Sequence, residues 1–275
     1  MNKLKKKLVN TGSMIILLMI SLLSFIPFYF MITMSTHVTS EIYQGDVFWF
    51  GNALIKNVKT IIDGGFLRYY SNSLLVSIGS TVICVLFSSM AAYGLSVYRF
   101  PLRGKITTFI ITSMMIPAQI SLIGYSIEMR SLHLTNTLLP LILTWGASAY
   151  GVFFMIQYMS GSIPLELIES GRIDGCNELR IFFDISMPLI KPAIGTLAML
   201  VYLWSWNNFL MPSIMLTDSR KFTVPLGIQT LATAYTQDWG ARGAALTIAV
   251  IPILMIFAVG SKYFIKGLSA GAVKG

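Results

Sequence analysis

The sequence runs to 275 residues, 55% hydrophobic and only 11% charged, with a formal net charge of +9. That length would suit one or two soluble domains, but so apolar a composition excludes an ordinary soluble protein and points to the membrane. The positive charges sit in separate loops rather than on one face, which argues against nucleic acid and for the loop asymmetry of a membrane protein.

Residues 1–12 form a basic N-terminus carrying Lys3, Lys5, Lys6 and Lys7, ahead of an apolar run over 13–34. A signal peptide has an apolar part of about 7–15 residues and then a small-residue cleavage site. This run is longer and ends in Met31-Ile32-Thr33-Met34-Ser35-Thr36-His37, so it reads as an uncleaved first span, kinked at Pro27. Residues 35–71 are mixed and aromatic, with Tyr43 and Phe48-Trp49-Phe50 prominent, and read as an external loop partly at the interface, where Trp is favoured. A charge-free run between Arg68 and Arg99 makes a second span, and Arg99, Arg103 and Lys105 a short basic loop. The third span is expected over 106–127, containing Pro117, and the fourth over 136–159, with Pro140 near its entrance.

A polar stretch over 160–192 follows, with Glu166, Glu169, Arg172, Asp174, Glu178, Arg180, Asp184 and Lys191: eight charges within 26 positions. Such density marks a segment outside the bilayer. Ser162 and Pro164 suit the start of one short helix, Asp174-Gly175 a turn, and Asn177 the cap of a second helix. Leu179, Phe182, Phe183, Ile185 and Met187 give that second helix a wide apolar side, and Pro188 and Pro192 are expected to stop it. The fifth span is expected over 193–217, then an external loop over 218–242 and a sixth span over 243–261.

Six spans put both ends on one side. With the N-terminus, the 99–105 loop, the 160–192 stretch and the tail in the cytoplasm, thirteen Lys and Arg lie inside and seven outside, the usual bias. Cys84 lies in an apolar run and Cys176 in the polar stretch, so no disulfide is expected. His37 and His133 stand without partners at ligand spacing, so no metal site is expected. The spans hold no clear Asp, Glu, Lys or Arg, which weakens a proton- or sodium-coupled carrier. No phosphate-binding loop of the G-x-x-x-x-G-K-[ST] type is present. If the chain drives transport, its energy comes from another subunit.

The polar stretch resembles the cytoplasmic coupling loop of ABC-transporter permeases: Glu-Ala-Ala, a Gly six positions after the Glu, then Ile and Leu-Pro. Here stand Glu169-Ser170-Gly171, Gly175, Ile185 and Met187-Pro188. Ser-Gly replaces Ala-Ala and Met replaces Leu, departures that bear on helix strength near Gly171. The tail, Gly267-Leu268-Ser269-Ala270-Gly271-Ala272-Val273-Lys274-Gly275, resembles the ending of maltose-type carbohydrate permeases, with Ser269 for their Thr. Trp204–Pro212 and Pro225–Gly240 resemble that family's fifth-span segment and last external loop.

The resemblance implies an all-α integral membrane protein of six transmembrane helices over 13–266, with a coupling hairpin over 160–192 between spans four and five and a tail over 267–275. It implies the second permease of a binding-protein-dependent ABC sugar importer, working by ATP-driven alternating access. Its partners would be another permease, a dimer of ABC ATPase subunits, an extracytoplasmic sugar-binding protein, the sugar and the bilayer. The chain itself would need no cofactor, ATP and magnesium being held by the ATPase. Glu169, Ser170, Gly171, Asp174, Gly175, Phe182, Phe183 and Pro188 are expected at the coupling joint, the aromatics filling the ATPase cleft. Gly267, Ser269, Gly271 and Lys274 are expected against the ATPase pair. Asn207 and Asn208 offer amides to sugar hydroxyls, with Tyr202, Trp204 and Trp206 as stacking surfaces; the alternative is helix–helix bonding and interfacial anchoring. Rival readings are a permease for a peptide or other small solute, a stand-alone channel or secondary carrier, and a non-transporting scaffold.

Overall fold

The computed structural model describes residues 3–231 and 237–272, with side chains over 11–231 and 237–261; all regular elements among the described residues are helices. In chain order they are α1 (Lys3–Met34), α2 (Thr39–Gln44), α3 (Leu54–Asp63), α4 (Phe66–Val97), α5 (Arg103–Ser113), α6 (Ala118–Ser131), α7 (Leu139–Leu143), α8 (Ala149–Ser162) and α9 (Leu165–Ile173). Then come α10 (Glu178–Leu189, wound as a π-helix over Ile181–Ser186), α11 (Lys191–Trp206), α12 (Leu210–Met215), α13 (Val224–Thr230) and α14 (Trp239–Ala272).

Among the described residues, three helices are long and apolar enough to cross a membrane: Thr11–Met34, Phe66–Val97 and Trp239–Ser261, of 24, 32 and 23 residues. They coincide with the first, second and sixth expected spans. The first carries Pro27 without interruption, so the expected kink is not a break. The middle spans differ from expectation. Residues 106–127 do not form one helix: α5 and α6 meet at 101° beside Pro117, whose extended backbone (φ −58°, ψ 129°) starts α6 afresh. Residues 136–159 divide into α7 and α8, with Pro140 in the first turn of α7. Residues 193–217 divide after Trp206 into α11 and α12. Among the described residues, counting the bent pairs α5–α6 (101°), α8–α9 (80°) and α10–α11 (82°) each as one span gives up to six. The expected loops over 35–71 and 218–242 hold α2, α3 and α13.

Contacts divide the chain into two units, Met1–Phe66 with Ile228–Ile251, and Leu67–Gly227 with Pro252–Gly275. In the first, the buried Asn57 amide donates to the Ser35 and His37 carbonyls at 2.8 Å each. Gly240 packs where a Cβ would collide with the His37 carbonyl and the Asn57 amide, so α14 starts against this knot only because residue 240 lacks a side chain. In the second unit, a core of Cys84, Tyr93, Met155, Met159, Ile168, Ile181, Phe182, Ile190, Leu197 and Val201 joins α4, α8, α9, α10 and α11. A smaller cluster, including Val76, Leu122, Leu141 and Met215, joins α4, α6, α7 and α12.

Candidate functional site

The polar stretch folds as the expected hairpin of two short helices, α9 and α10. Its turn is built from backbone alone. The Cys176 amide donates to the Gly171 carbonyl (3.0 Å) and the Gly175 amide to Arg172 (3.1 Å), a paired arrangement that closes a helix when the next residue is left-handed. Gly175 is that residue, at φ +79°. Asn177 then caps α10, its side-chain oxygen accepting from the Arg180 amide at 2.8 Å. Two local expectations fail. Ser162 ends α8 rather than capping α9, and Pro164 takes the cap position of α9 in extended backbone. Pro188 does not stop α10, which runs on to Leu189; the chain breaks at Ile190, and Pro192 sits in the first turn of α11, 82° away.

Gly171 is buried where α9 crosses α10. A Cβ there would lie 2.9 Å from Ile185 Cδ1 and 3.4 Å from Ile181 Cγ1, so the Gly that weakens the helix is what lets the two helices touch. Ile168, Ile181 and Phe182 anchor the hairpin to the core, and each buried side chain contributes about 1.5–3 kcal/mol. Phe182, expected to fill an ATPase cleft, is 3% exposed and stands edge-on to Tyr93 at 5.3 Å. It belongs to this chain's interior. Its neighbour Phe183, 47% exposed, faces outward, as do Glu169, Ser170, Asp174, Gly175 and Pro188.

A polar brace that the sequence did not disclose ties the hairpin to the end of α4. Glu178 accepts from Arg172 Nε at 2.7 Å and from the Tyr98 hydroxyl at 2.6 Å, while the Arg172 guanidinium lies 5.7 Å over the Tyr98 ring. Arg172 and then Tyr98 hold the Glu178 carboxyl below the usual carboxylate range. Burial, then the Glu178 bond, pushes the Tyr98 hydroxyl up to about 12. An ion pair this exposed is worth about 0–1 kcal/mol, so apolar anchoring supplies the stability and the brace fixes the orientation. Beside it opens a cleft of about 320 Å³ lined by Tyr98, Leu165, Glu169 and Arg172, among others.

The remaining expected site residues divide. Tyr202 and Trp206 stack at 5.8 Å and are buried. Trp204 is 43% exposed, stacked on Trp145 at 6.3 Å with Tyr150 edge-on at 5.1 Å. Asn207 donates to the Leu203 carbonyl at the end of α11, and the Asn208 side-chain oxygen accepts from the Met211 amide at the start of α12. Both amides therefore serve helix ends. Gly267, Ser269 and Gly271 lie on the helical backbone of α14, and Lys274 lies outside the described residues.

Residues 84–269 match the family described as the binding-protein-dependent transport system inner membrane component. The chain belongs to that family. It is a permease, a multi-pass inner-membrane transport subunit and not an enzyme. The arabinooligosaccharides transport system permease protein AraQ of Bacillus subtilis (strain 168) is 38% identical over 221 residues, 80% of this chain and 78% of its own. The lactose transport system permease protein LacG of Rhizobium radiobacter is 30% identical over 277 residues, 100% of both chains. A chain from the crystal structure of a bacterial ABC transporter involved in the import of the acidic polysaccharide alginate has a TM-score of 0.84, covering 96% of this chain and 99% of its own at 21% identity, a likeness of fold. Family membership sets aside the stand-alone carrier, channel and scaffold readings.

Proposed function

We propose that this permease moves a sugar, a neutral oligosaccharide, through the membrane by alternating access powered by a partner ATPase. One observation carries the substrate class: two relatives that share most of its length are named for arabinooligosaccharides and lactose. The outward rim of Glu169, Ser170, Asp174, Gly175 and Phe183 is the surface for a dimer of ABC ATPase subunits, which hold ATP and magnesium. Gly171 and Phe182 act behind that rim as structural anchors, and Pro188 sets the exit toward α11. ATPase closure pushes the hairpin, and the shared core of α9, α10, α11 and α4 passes the movement to the spans.

This reading puts the hairpin and both termini in the cytoplasm, with six spans over 13–266: α1, α4, α14 and the runs α5–α6, α7–α8 and α11–α12. The tail over 267–275, with Gly267, Ser269, Gly271 and Lys274, adds a second ATPase contact. A second permease completes the path, and an extracytoplasmic sugar-binding protein delivers the cargo. Of the five path candidates, Trp204 and Asn207 present exposed faces to a sugar, while Asn208 is half-buried and Tyr202 and Trp206 support them from the interior.

Proteoliposomes holding the permease with its ATPase, second permease and binding protein test the substrate class. ATP-dependent uptake of arabinotriose, lactose or maltotriose is the expected result. Uptake of a peptide and of none of these sugars contradicts it.

A further inference from the structure

Between α1 and α4 the chain builds a cup whose floor is held by a tight knot. His37 bonds the Trp49 carbonyl through Nε2 at 2.7 Å and Glu41 through Nδ1 at 2.9 Å. The Gly51 amide donates to Thr36 Oγ1 at 2.8 Å, and the Ala53 amide to the Thr36 carbonyl at 2.7 Å. A Cβ on Gly51 would lie 2.6 Å from that carbonyl and 2.7 Å from His37 Nδ1, so only Gly lets the strap close this far. The cavity above measures about 850 Å³, within the range of about 300–1,000 Å³ usual for small-ligand sites.

Its lining is mixed. The backbone of Trp49 is pinned, yet its indole is 83% exposed and stacks on no other ring among the described residues. Phe48 adds a second partly exposed face, fixed edge-on to Phe30 at 5.6 Å. Around them stand Glu41, Asp46, Asn52 and Lys56. Asp46 and Lys56 take part in no ion pair among the described residues. An aromatic face beside carboxylate, amide and ammonium groups offers a flat apolar contact and hydrogen bonds at its edge together. A pyranose or furanose ring presents the matching pair, C–H faces and equatorial hydroxyls. Charge of both signs within a concave cup suits a neutral polyol better than a partner protein's apolar or single-signed strip.

We propose that this cup is a carbohydrate-binding site of the permease on its extracytoplasmic side, holding one end of a neutral oligosaccharide outside the membrane path. Its ligand class and its side of the membrane rest on the sugar-importer reading above.

The test uses the full chain in lipid nanodiscs, with saturation-transfer NMR on arabinotriose, lactose and maltotriose, beside uptake by the assembled transporter. A sugar that the transporter takes up is expected to receive saturation from the permease alone. Trp49→Ala should weaken that binding about tenfold, whereas Trp49→Phe keeps it within about threefold, since a smaller ring still stacks. An indole this exposed can be removed without unfolding the chain, which circular dichroism checks. The cup is overturned if the transported sugar binds Trp49→Ala as well as the parent, or gives no transfer at all. It is also overturned if the substitution changes only affinity for the binding protein or only membrane insertion, which would make the aromatics a docking or interfacial feature. Uptake of none of the three sugars would instead bring down the sugar-importer reading itself, and the cup with it.

Discussion

The unbroken helices and the bent pairs make an instructive contrast, because both contain proline. Pro27 and Pro252 sit inside α1 and α14, which run on unbroken. Pro117 and Pro164 stand where α6 and α9 begin after bends of 101° and 80°. For Pro164 the difference lies in the neighbours. Ile26-Pro27-Phe28 and Ile251-Pro252-Ile253 are flanked by apolar residues that belong in lipid, where a broken helix would leave carbonyls and amides without partners. Ser160-Gly161-Ser162-Ile163-Pro164 offers polar, flexible residues and leads into a charged segment, where water can take up the freed groups. Pro117 breaks the chain within Met114-Met115-Ile116-Pro117-Ala118, apolar on both sides, so polar neighbours account for the bend at Pro164 and not for the one at Pro117.

Several substitutions would break or sharpen that contrast. Gly171→Leu should have the largest effect, because the added side chain meets Ile185 and Ile181 in a packed crossing. A loss of about 1–3 kcal/mol is expected in unfolding of the detergent-solubilised protein; a stability equal to the parent would mean that α9 and α10 do not pack as described. Removing the brace by Glu178→Gln should cost about 1 kcal/mol or less, and its signature is pH dependence. The Glu178 carboxyl lies below its ordinary value when folded, so its contribution is present above about pH 4.3 and disappears as pH falls through the folded value. Acid melts of Glu178→Gln should lack that part of the slope. His37 runs the opposite way. The Trp49 carbonyl, and then Glu41, raise it against a lowering by burial, so its contribution is full below about pH 6.5 and fades as pH rises through the folded value. His37→Gln should flatten that loss in alkaline melts. The smallest structural effect belongs to Pro27→Ala, which should leave helix content unchanged by circular dichroism, since α1 is already continuous there; a rise in helix content would show that the proline interrupts the helix after all.

What could be read in advance follows the same division between local and distant causes. The Asp174-Gly175 turn and the Asn177 cap were legible, because a left-handed glycine and a capping amide act within a few residues. The first, second and sixth spans were legible from unbroken apolar runs. The purpose of Gly171 was not, since the side chains that need the space, Ile181 and Ile185, arrive ten and fourteen residues later on another helix. Tyr98 and Glu178 lie 80 residues apart, so no spacing rule links them. Phe182 and Phe183 look alike in sequence, and only the winding of α10 turns one into the core and the other outward. The cup over 37–56 looks like plain aromatic loop in the sequence because the side chains of its floor, His37 and Thr36, bond main-chain groups twelve and fifteen residues away.

Coupling through the hairpin is the central claim, and Gly175→Asp addresses it most directly. The position is left-handed at φ +79°, a conformation that Asp tolerates better than most residues, and a Cβ there meets nothing within 4 Å. The variant should therefore insert and fold like the parent, while placing a new carboxylate on the face proposed to meet the ATPase. In the assembled transporter, sugar-stimulated ATP hydrolysis should be abolished with the protein still in the membrane. Stimulation at the parent's level would contradict the account.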